Sequence, residues 1–212
     1  MKLSVPYFGT KRMNAKSAAR ALDAFPRTAI AQTPWAEFPY KPETTFTLAY
    51  GDDAFYIRYN VREKELLALY QYPNQPVCKD SCVEFFVSPD GKSYYNIEFN
   101  CIGACYIAVG PDRAHRRMIH PKLVATADVF STLGKKPFEQ RTGDFTWELT
   151  AVIPYAIMAN PAGAPSRGKT FTANFYKCSD EMTTPHYLTW NNVGTIEPDY
   201  HQPEYFGEIE FF

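Results

Sequence analysis

Polar side chains that could bind a ligand alternate with apolar ones between Asp80 and Asn100. Glu84 in the first half of this stretch, and Asn96 and Glu98 in the second, occupy every other position. Successive side chains of a β-strand point to opposite faces, so these carboxyl and amide groups are expected on one face of a strand pair. Strands disfavour Asn and Asp. This set of polar side chains therefore indicates one of two things. It forms a ligand-binding face, or it consists of outward residues hydrogen-bonded to water and to each other.

The two halves of this stretch flank Ser88–Lys92, in which Asp90 precedes Gly91. Asp-Gly between alternating apolar runs is a strong signal for a β-hairpin. The intervening positions predict side chains that face the core: Val83, Phe85, Val87, Tyr95, Ile97, Phe99 and Cys101.

Two further predicted strands carry polar groups that could join the same face. Arg58 lies on the outward side of the strand Ala54–Val61, and Asn174 on the outward side of Phe171–Cys178. If all these strands belong to one sheet, Arg58, Glu84, Asn96, Glu98, Asn100 and Asn174 form one hydrogen-bonding set. Arginine beside carboxylates and amides suits a ligand rich in hydroxyl groups. The alternative is structural: Arg58 and Glu84 form an ion pair, and the amides connect strands.

The alternation repeats along the chain and predicts about nine or ten short strands. The fold class expected is all-β, an antiparallel β-sandwich of the immunoglobulin or jelly-roll kind, with residues 1–212 forming a single domain. Residues 13–24 predict one short N-terminal helix. Residues 66–72 and 123–130 are predicted as separate strands.

Composition excludes several classes of partner. The 22 basic and 23 acidic residues give a net charge of -1 without a block of one sign, so no nucleic-acid or anionic-membrane partner is expected. Residues 110–122 are basic and are interpreted as a solvated loop. No apolar run is long enough to span a bilayer. The first residues lack the apolar centre of a secretory signal, so a cytoplasmic location is expected, or export if a signal has been removed.

Five cysteines, an odd number, favour reduced thiols over a disulfide framework. Cys78 and Cys82, and likewise Cys101 and Cys105, are four residues apart. On a strand this spacing separates two thiols by about 13 Å, too far for one metal ion or one disulfide. A bridge between strands, for instance from Cys82, stays open. The four histidines have no metal-site spacing.

Several segments, in order, resemble the carbohydrate-binding module family 9-like domains. They are DSCVEFFVSPDG, YYNIEFN, WELTAVIPY, FTANFYKC and the terminal YLTWNN and PDYHQPEYFGEIEF. With the chain between them they span roughly residues 35–212. The resemblance implies a β-sandwich whose polar face or rim binds sugar through aromatic rings, charged groups and amides. It implies no cofactor other than a structural calcium that such modules often hold.

Characterised members of that family stack sugar between tryptophans. The segment before Asp80 carries Tyr70 and Tyr72 and no Trp, which leaves Tyr72 as a stacking candidate. Trp190 is the candidate in the C-terminal segment, although a core position is equally compatible with the sequence. Tyr200 and His201, in a Pro-rich loop, are candidates for the rim.

The function expected is non-catalytic carbohydrate binding. One alternative is a glycoside hydrolase with Asp80 and Glu84, or Glu84 and Glu98, as paired carboxylates. Another is a protein-interaction domain that uses an aromatic surface. The sequence predicts neither the sugar nor the oligomeric state.

Overall fold

The structure is a computed structural model that describes residues 1–158 and 164–212. Its strands are β1 (Lys2–Val5), β2 (Tyr7–Gly9), β3 (Thr28–Ala29), β4 (Glu43–Gly51), β5 (Ala54–Ala68), β6 (Cys82–Ser88), β7 (Tyr94–Asn100), β8 (Cys105–Gly110), β9 (Arg117–Met118), β10 (Asp128–Ser131), β11 (Phe138–Pro154), β12 (Thr170–Ser179), β13 (His186–Thr189) and β14 (Gly207–Phe211). The α-helices are α1 (Ala15–Ala21) and α2 (Pro121–Val124). Within the described ranges no helix is long and apolar enough to cross a membrane.

The strands form two sheets. The large sheet has the order β1-β14-β12-β6-β7-β8-β9, with β13 also paired to β12. The small sheet has the order β10-β11-β5-β4-β2, with β3 also paired to β4. Pairing is antiparallel except between β1 and β14 and between β2 and β4. The predicted antiparallel β-sandwich is confirmed.

The predicted hairpin is strands β6 and β7. Their register places Glu84 opposite Glu98. In the connecting turn the Asp90 carboxylate accepts hydrogen bonds from the backbone N–H groups of Lys92 and Ser93. Gly91 has a φ of +68°, a conformation that glycine adopts without steric cost. The hydrogen bonds of Asp90 and the positive φ of Gly91 therefore explain why Asp-Gly occupies this turn.

Aromatic rings fill the space between the sheets. Phe175 stacks on Phe46 of the small sheet at 3.8 Å between ring centroids, and on Phe85 of its own sheet at 5.0 Å. The apolar positions predicted to face inward on β5, β6, β7, β11 and β12 all belong to this core. Burial of these side chains supplies the main stabilisation of the sandwich.

Helix α1 covers the outer face of the small sheet. The Asn14 side chain caps it by accepting from the Ser17 N–H at 2.8 Å. Ala15 and Ala18 pack with Tyr56, and a 3-10 turn over Leu22–Ala24 follows. The short N-terminal helix is confirmed, and its small buried side chains allow close approach to the strands.

Two predicted strands are wrong in extent. Residues 62–68 continue β5, because they pair with residues 138–146 of β11, which the local pattern does not reveal. Residues 121–124 form α2 instead of a strand. Pro121 suits a first helical position, and the His120 ring accepts from the Lys122 N–H at 3.2 Å. Only Asp128–Ser131 of that segment pairs as a strand.

A second apolar layer covers the outer face of the large sheet. We call it the outer cluster, and its buried members are Trp35, Val77, Cys82, Phe86, Tyr94, Ala104, Tyr176, Cys178, Val193 and Tyr200. Loops before β6 and after β13 lie over the strands here and leave a cavity between themselves and the sheet. Two residues of the predicted polar face, Glu84 and Glu98, line this cavity.

Candidate functional site

A cavity of about 440 Å³ opens on the outer face of the large sheet. Its sheet-borne lining residues are Glu84 on β6, Glu98 on β7, Tyr106 on β8 and Cys178 on β12. Tyr187 on β13 also lines it, and residues between strands complete it: Pro76, Cys78, Arg113, Arg116, Asp180, Pro198, Asp199, Tyr200 and His201. Its volume lies within the roughly 300 to 1,000 Å³ typical of small-molecule sites.

Strand register brings the polar floor of the cavity together. Tyr176, Glu84, Glu98 and Tyr106 lie directly opposite one another on β12, β6, β7 and β8. Directly opposed side chains on one sheet face approach to about 5 Å between Cβ atoms. Two carboxyl groups consequently lie side by side at the centre of the sheet.

Burial governs the charge of these carboxyl groups. Glu84 is 2% exposed and Glu98 6%. Burial, with the Glu98 carboxylate beside it, raises the pKa of Glu84 well above its ordinary value. Burial also raises the pKa of Glu98 to about 7, although a hydrogen bond from Asn96 at 2.8 Å opposes the shift. At neutral pH the pair therefore holds a proton and can donate as well as accept.

His201 is a neutral group on the cavity wall. Its Nε2 lies 3.0 Å from Arg116 Nη1 and its Nδ1 lies 2.9 Å from the Tyr94 hydroxyl. Arginine can only donate, so Nε2 accepts and Nδ1 carries the proton. Burial and the positive charges of Arg116 and Arg113 lower the pKa of His201 to about 3. The cavity thus presents cationic donors and a neutral imidazole opposite the carboxyl groups.

The basic loop contributes these cations. Arg116 stands over the Tyr106 ring, with 5.6 Å from its guanidinium carbon to the ring centroid. Arg113 lies 3.9 Å from the Asp199 carboxylate. The interpretation of residues 110–122 as a solvated loop fits Arg113, whose side chain is 65% exposed, but it is incomplete for Arg116, which is half-buried at the cavity. Both arginines reach the cavity because β8 and β9 pair and turn the loop toward it.

Four of the ten candidate residues line the cavity: Glu84, Glu98, Tyr200 and His201. Tyr200 is largely a structural element. Its ring stacks on Tyr176 at 3.9 Å between centroids, and its hydroxyl donates to the carbonyl of Lys177 or Leu188. Only a small part of the Tyr200 side chain is available to a ligand.

The three candidate asparagines share the sheet face but serve neighbouring groups. Asn96 donates to Glu98. Asn100 donates to the Tyr70 carbonyl and the Asp80 carboxylate, and Asn174 to the Asn191 carbonyl. The structural alternative for the amides, that they connect strands and loops, describes them better than direct ligand contact. Asp80, a proposed hydrolase partner, is likewise absent from the cavity lining.

Trp190 and Tyr72 lie away from the cavity, so they are not placed to stack a ligand there. Trp190 is 3% exposed and packs edge-on against Phe46 and Phe175 inside the sandwich. Its backbone N–H donates to the Phe175 carbonyl, which holds the ring between the sheets. Tyr72 is 62% exposed, in the loop after β5.

Arg58 does not share the polar face, because β5 belongs to the small sheet. Its guanidinium donates to the Ala19 carbonyl and to Asp23 at 2.6 Å, and to Glu148 at 2.8 Å. The predicted pairing with Glu84 is therefore wrong. Arg58 instead attaches helix α1 to the outer face of the small sheet.

We expect Arg58→Met to lower the free energy of unfolding by about 2 kcal/mol, because it removes charge-assisted hydrogen bonds from a largely buried group. Urea denaturation measures this effect. Arg62→Met is the control, since Arg62 is exposed on the same strand. Equal stability of the two variants would contradict the role assigned to Arg58.

Several cavity residues escaped prediction from sequence: Cys78, Tyr106, Arg113, Arg116, Cys178, Asp180, Tyr187 and Asp199. The position of Tyr106 could have been predicted from sequence. Strand β8 follows β7 after a short turn, and pairing of the two strands places Tyr106 beside Glu98 on the polar face. The residues in loops carried no such signal, since loop positions have no periodicity.

All five cysteines are free thiols in the structure. Among residues 1–158 and 164–212, one group of three metal-binding side chains lies close enough to share an ion: Cys82, Glu84 and Cys178. Calcium takes six to eight oxygen ligands. Two of these three donors are sulfur, so the group does not suit calcium, and the structural calcium implied by the family stays a prediction.

Comparisons with known proteins agree with this architecture. The solved structure of a predicted carbohydrate-binding protein from Bacteroides uniformis ATCC 8492 is 35% identical, with a TM-score of 0.94 over 100% of this chain and 99% of that one. A family 9 carbohydrate-binding module from Caldicellulosiruptor kristjanssonii is 12% identical. Its cellotriose complex superimposes with a TM-score of 0.65 and its glucose complex with 0.64. Both superpositions cover 100% of this chain. They cover 93% of the chain in the cellotriose complex and 96% of the chain in the glucose complex.

A search of curated proteins gives no match. The sequence profile of carbohydrate-binding family 9, by contrast, matches residues 17–211. That range contains every strand of the cavity floor and every loop of its wall. The chain belongs to carbohydrate-binding family 9.

Proposed function

We propose that this chain binds a saccharide, without hydrolysing it, in the cavity over Glu84 and Glu98. The observation that carries the proposal is the combination of tyrosines, arginines and buried carboxyl groups around one cavity of suitable size. Saccharide hydroxyls donate and accept hydrogen bonds, while the C–H face of a pyranose is apolar. A site for such a ligand needs both kinds of partner.

Tyr106 and Tyr187 are the aromatic groups best placed for contact with a sugar ring. Both are half-buried and both line the cavity. They lie on β8 and β13, on opposite sides of the three strands β12, β6 and β7. Four strand spacings separate the two strands, about 19 Å. This supports tyrosine walls at two sides of the cavity in place of the tryptophan pair of characterised family members.

Polar partners for the hydroxyls come from the floor and from the basic loop. The Glu84 and Glu98 pair shares protons at neutral pH, so it offers donors and acceptors. Arg113 and Arg116 offer fixed donors. Buried groups of this kind discriminate between sugars, because a ligand lacking a hydroxyl leaves them unpaired. The bound ligands of the Caldicellulosiruptor kristjanssonii module, cellotriose and glucose, are accordingly the first probes.

The placement of the carboxyl pair favours binding over hydrolysis. The two carboxyl groups of a glycosidase flank the scissile bond. Glu84 and Glu98 lie directly opposite each other on neighbouring strands of one sheet face, so both approach a ligand from the floor of the cavity. Membership of a family of binding modules points in the same direction.

The experiment is calorimetric titration of the full chain with glucose, cellotriose and a panel of other oligosaccharides. Tyr106→Ala and Arg116→Met are expected to weaken binding by about 1 to 3 kcal/mol through lost stacking and lost charged hydrogen bonds. Matched controls are Tyr72→Ala and Arg117→Met. Tyr72 and Arg117 are exposed and do not line the cavity, so these variants should bind like the wild type.

Three outcomes would contradict the proposal. One is a folded wild type that binds no member of the panel, which would favour a protein-interaction domain. Another is equal loss of affinity in the test and control variants, which would place the ligand elsewhere. The third is release of reducing sugar that Glu98→Gln abolishes, which would identify a glycosidase.

A further inference from the structure

Two thiols and a carboxyl group converge at one end of the cavity floor. Cys82 on β6 lies directly opposite Cys178 on β12. Glu84 is two residues beyond Cys82 and points to the same face. Its Oε1 is 3.1 Å from the Cys178 Sγ and 3.9 Å from the Cys82 Sγ. The three donor atoms all lie within 4.8 Å of one another, and all three residues are buried.

These separations match a tetrahedral zinc site. Zn–S bonds of about 2.3 Å and Zn–O bonds of about 2.1 Å place neighbouring ligand atoms roughly 3.6 to 3.8 Å apart. The two S–O distances fall on either side of that range. Small side-chain rotations would bring all three atoms to one ion. Because strands β6 and β12 are central in the large sheet, the backbone that carries the ligands is held by pairing on both sides.

No cation or amide among residues 1–158 and 164–212 hydrogen-bonds the Glu84 carboxyl, and Arg116 acts on it only through its charge across the cavity. Within the described residues, the side-chain donors that reach it are the thiols of Cys82 and Cys178. The neighbouring Glu98 adds a second carboxyl group. A buried carboxylate without strong donors is costly, and a bound divalent cation would remove that cost.

Donor type selects the class of ion. Thiolates favour zinc and other thiophilic metals, whereas calcium and magnesium prefer oxygen. Coordination would release the protons of the two thiols, and that of Glu84 where it is protonated, to solvent, so affinity should rise with pH. Cys178 and Glu84 line the cavity. A tetrahedral ion held by three protein ligands would therefore keep its fourth position facing the cavity, for water or for a ligand oxygen.

We propose that Cys82, Glu84 and Cys178 bind a thiophilic divalent cation of the Zn²⁺ type, with one coordination position open to the cavity. The site does not depend on saccharide binding. It shares Glu84 with the proposed saccharide contact and adds two thiols that the hydroxyl-binding role leaves unassigned, and it is tested in the absence of sugar.

Cobalt(II) is the probe, because its thiolate complexes absorb through sulfur-to-metal charge transfer and its tetrahedral complexes absorb strongly in the visible. The full chain is reduced, freed of metal with a chelator and titrated with Co²⁺. We expect one equivalent of Co²⁺ to produce both the charge-transfer band and the visible band. Added Zn²⁺ should displace the Co²⁺ and remove both bands. Cys82→Ser and Cys178→Ser should each weaken Co²⁺ binding at least tenfold and reduce the charge-transfer band, and Glu84→Gln should weaken it several-fold.

Cys105→Ala is the matched control, since Cys105 is a buried thiol on the opposite face of the same sheet, in the core between the sheets. It should retain wild-type Co²⁺ binding. Circular dichroism verifies that each variant is folded. Absence of a charge-transfer band in the reduced wild type would overturn the proposal. So would bands that survive in the Cys82→Ser/Cys178→Ser double variant.

A third result would also overturn it: a Cys82–Cys178 disulfide as the resting state. Thiol titration of the unfolded, unreduced protein separates the cases, because five reactive thiols accompany a metal site and three accompany the disulfide. Loss of saccharide binding with Co²⁺ binding intact would refute only the proposed function, and the converse would refute only the metal site.

Discussion

Replacing Lys177 by methionine is expected to lower the free energy of unfolding by about 3 to 5 kcal/mol, the cost of leaving a buried charge unpaired. Lys177 Nζ lies 2.8 Å from the Glu63 carboxylate, and both side chains are 0% exposed. Glu63 also accepts from the Trp147 indole N–H at 2.6 Å. The ion pair joins β12 of the large sheet to β5 of the small one.

His186 does not compensate the Glu63 charge, so Glu63 depends on Lys177 for a cationic partner. The His186 Nε2 is 2.7 Å from Lys177 Nζ, and burial together with the lysine charge lowers the pKa of His186 to about 2. Burial is the larger cause and persists when Lys177 is replaced, so we expect the imidazole to stay neutral in the variant and not to replace the missing cation opposite Glu63. Without Lys177, the Glu63 carboxylate keeps only hydrogen bonds from neutral groups.

Urea denaturation of Lys177→Met and of Lys64→Met measures the effect with a matched control. Lys64 pairs with Asp144 on the exposed surface, so its replacement should cost less than about 1 kcal/mol. In the double variant Glu63→Gln/Lys177→Met, part of the lost stability should return, because no unpaired charge remains. A Lys177→Met protein as stable as Lys64→Met would show that the buried pair does not stabilise the sandwich.

The contribution of Glu98 to stability is expected to fall as the pH rises from about 4.5 to 7. Its pKa is about 7 in the folded chain against 4.5 for an ordinary glutamate. Between these values the folded state keeps a proton that the unfolded state has released, so raising the pH favours unfolding. At about 1.4 kcal/mol for each pH unit, the loss approaches about 3 kcal/mol by pH 8.

Glu98→Gln removes this titration, so the variant should gain stability relative to the wild type progressively up to pH 8. The buried neutral histidines His186 and His201 act in the opposite direction below pH 6.5, but both proteins contain them, so they cancel in the comparison. Denaturation of both proteins in a chelator from pH 4.5 to 8 measures the difference. Glu197→Gln, at an exposed position, should follow the wild-type curve. A stability difference between Glu98→Gln and the wild type that stays constant across this range would contradict the assigned burial of the carboxyl pair.

Alternation by itself determined which side of each strand faces the core. Phe85 and Glu84 are neighbours in sequence, yet one lies between the sheets and the other at the cavity, as the two-residue period requires. The hairpin at Asp90 and Gly91 was equally predictable, because turn geometry depends on residues within four positions of one another. The fold class follows from many such local signals.

The tertiary structure alone decided which strands share a sheet. Arg58 and Glu84 have the same outward phase, but β5 joins the small sheet and β6 the large one, so the two side chains lie on opposite outer faces. Trp190 is another case, since its backbone bond to Phe175 draws it into the core. The cavity walls at Arg116 and Tyr187 come from a loop and a strand that are more than 60 residues apart. Local periodicity cannot predict contacts between residues so far apart in sequence. Such contacts depend on the order of strands in each sheet and on loop paths that only the packed sheets determine.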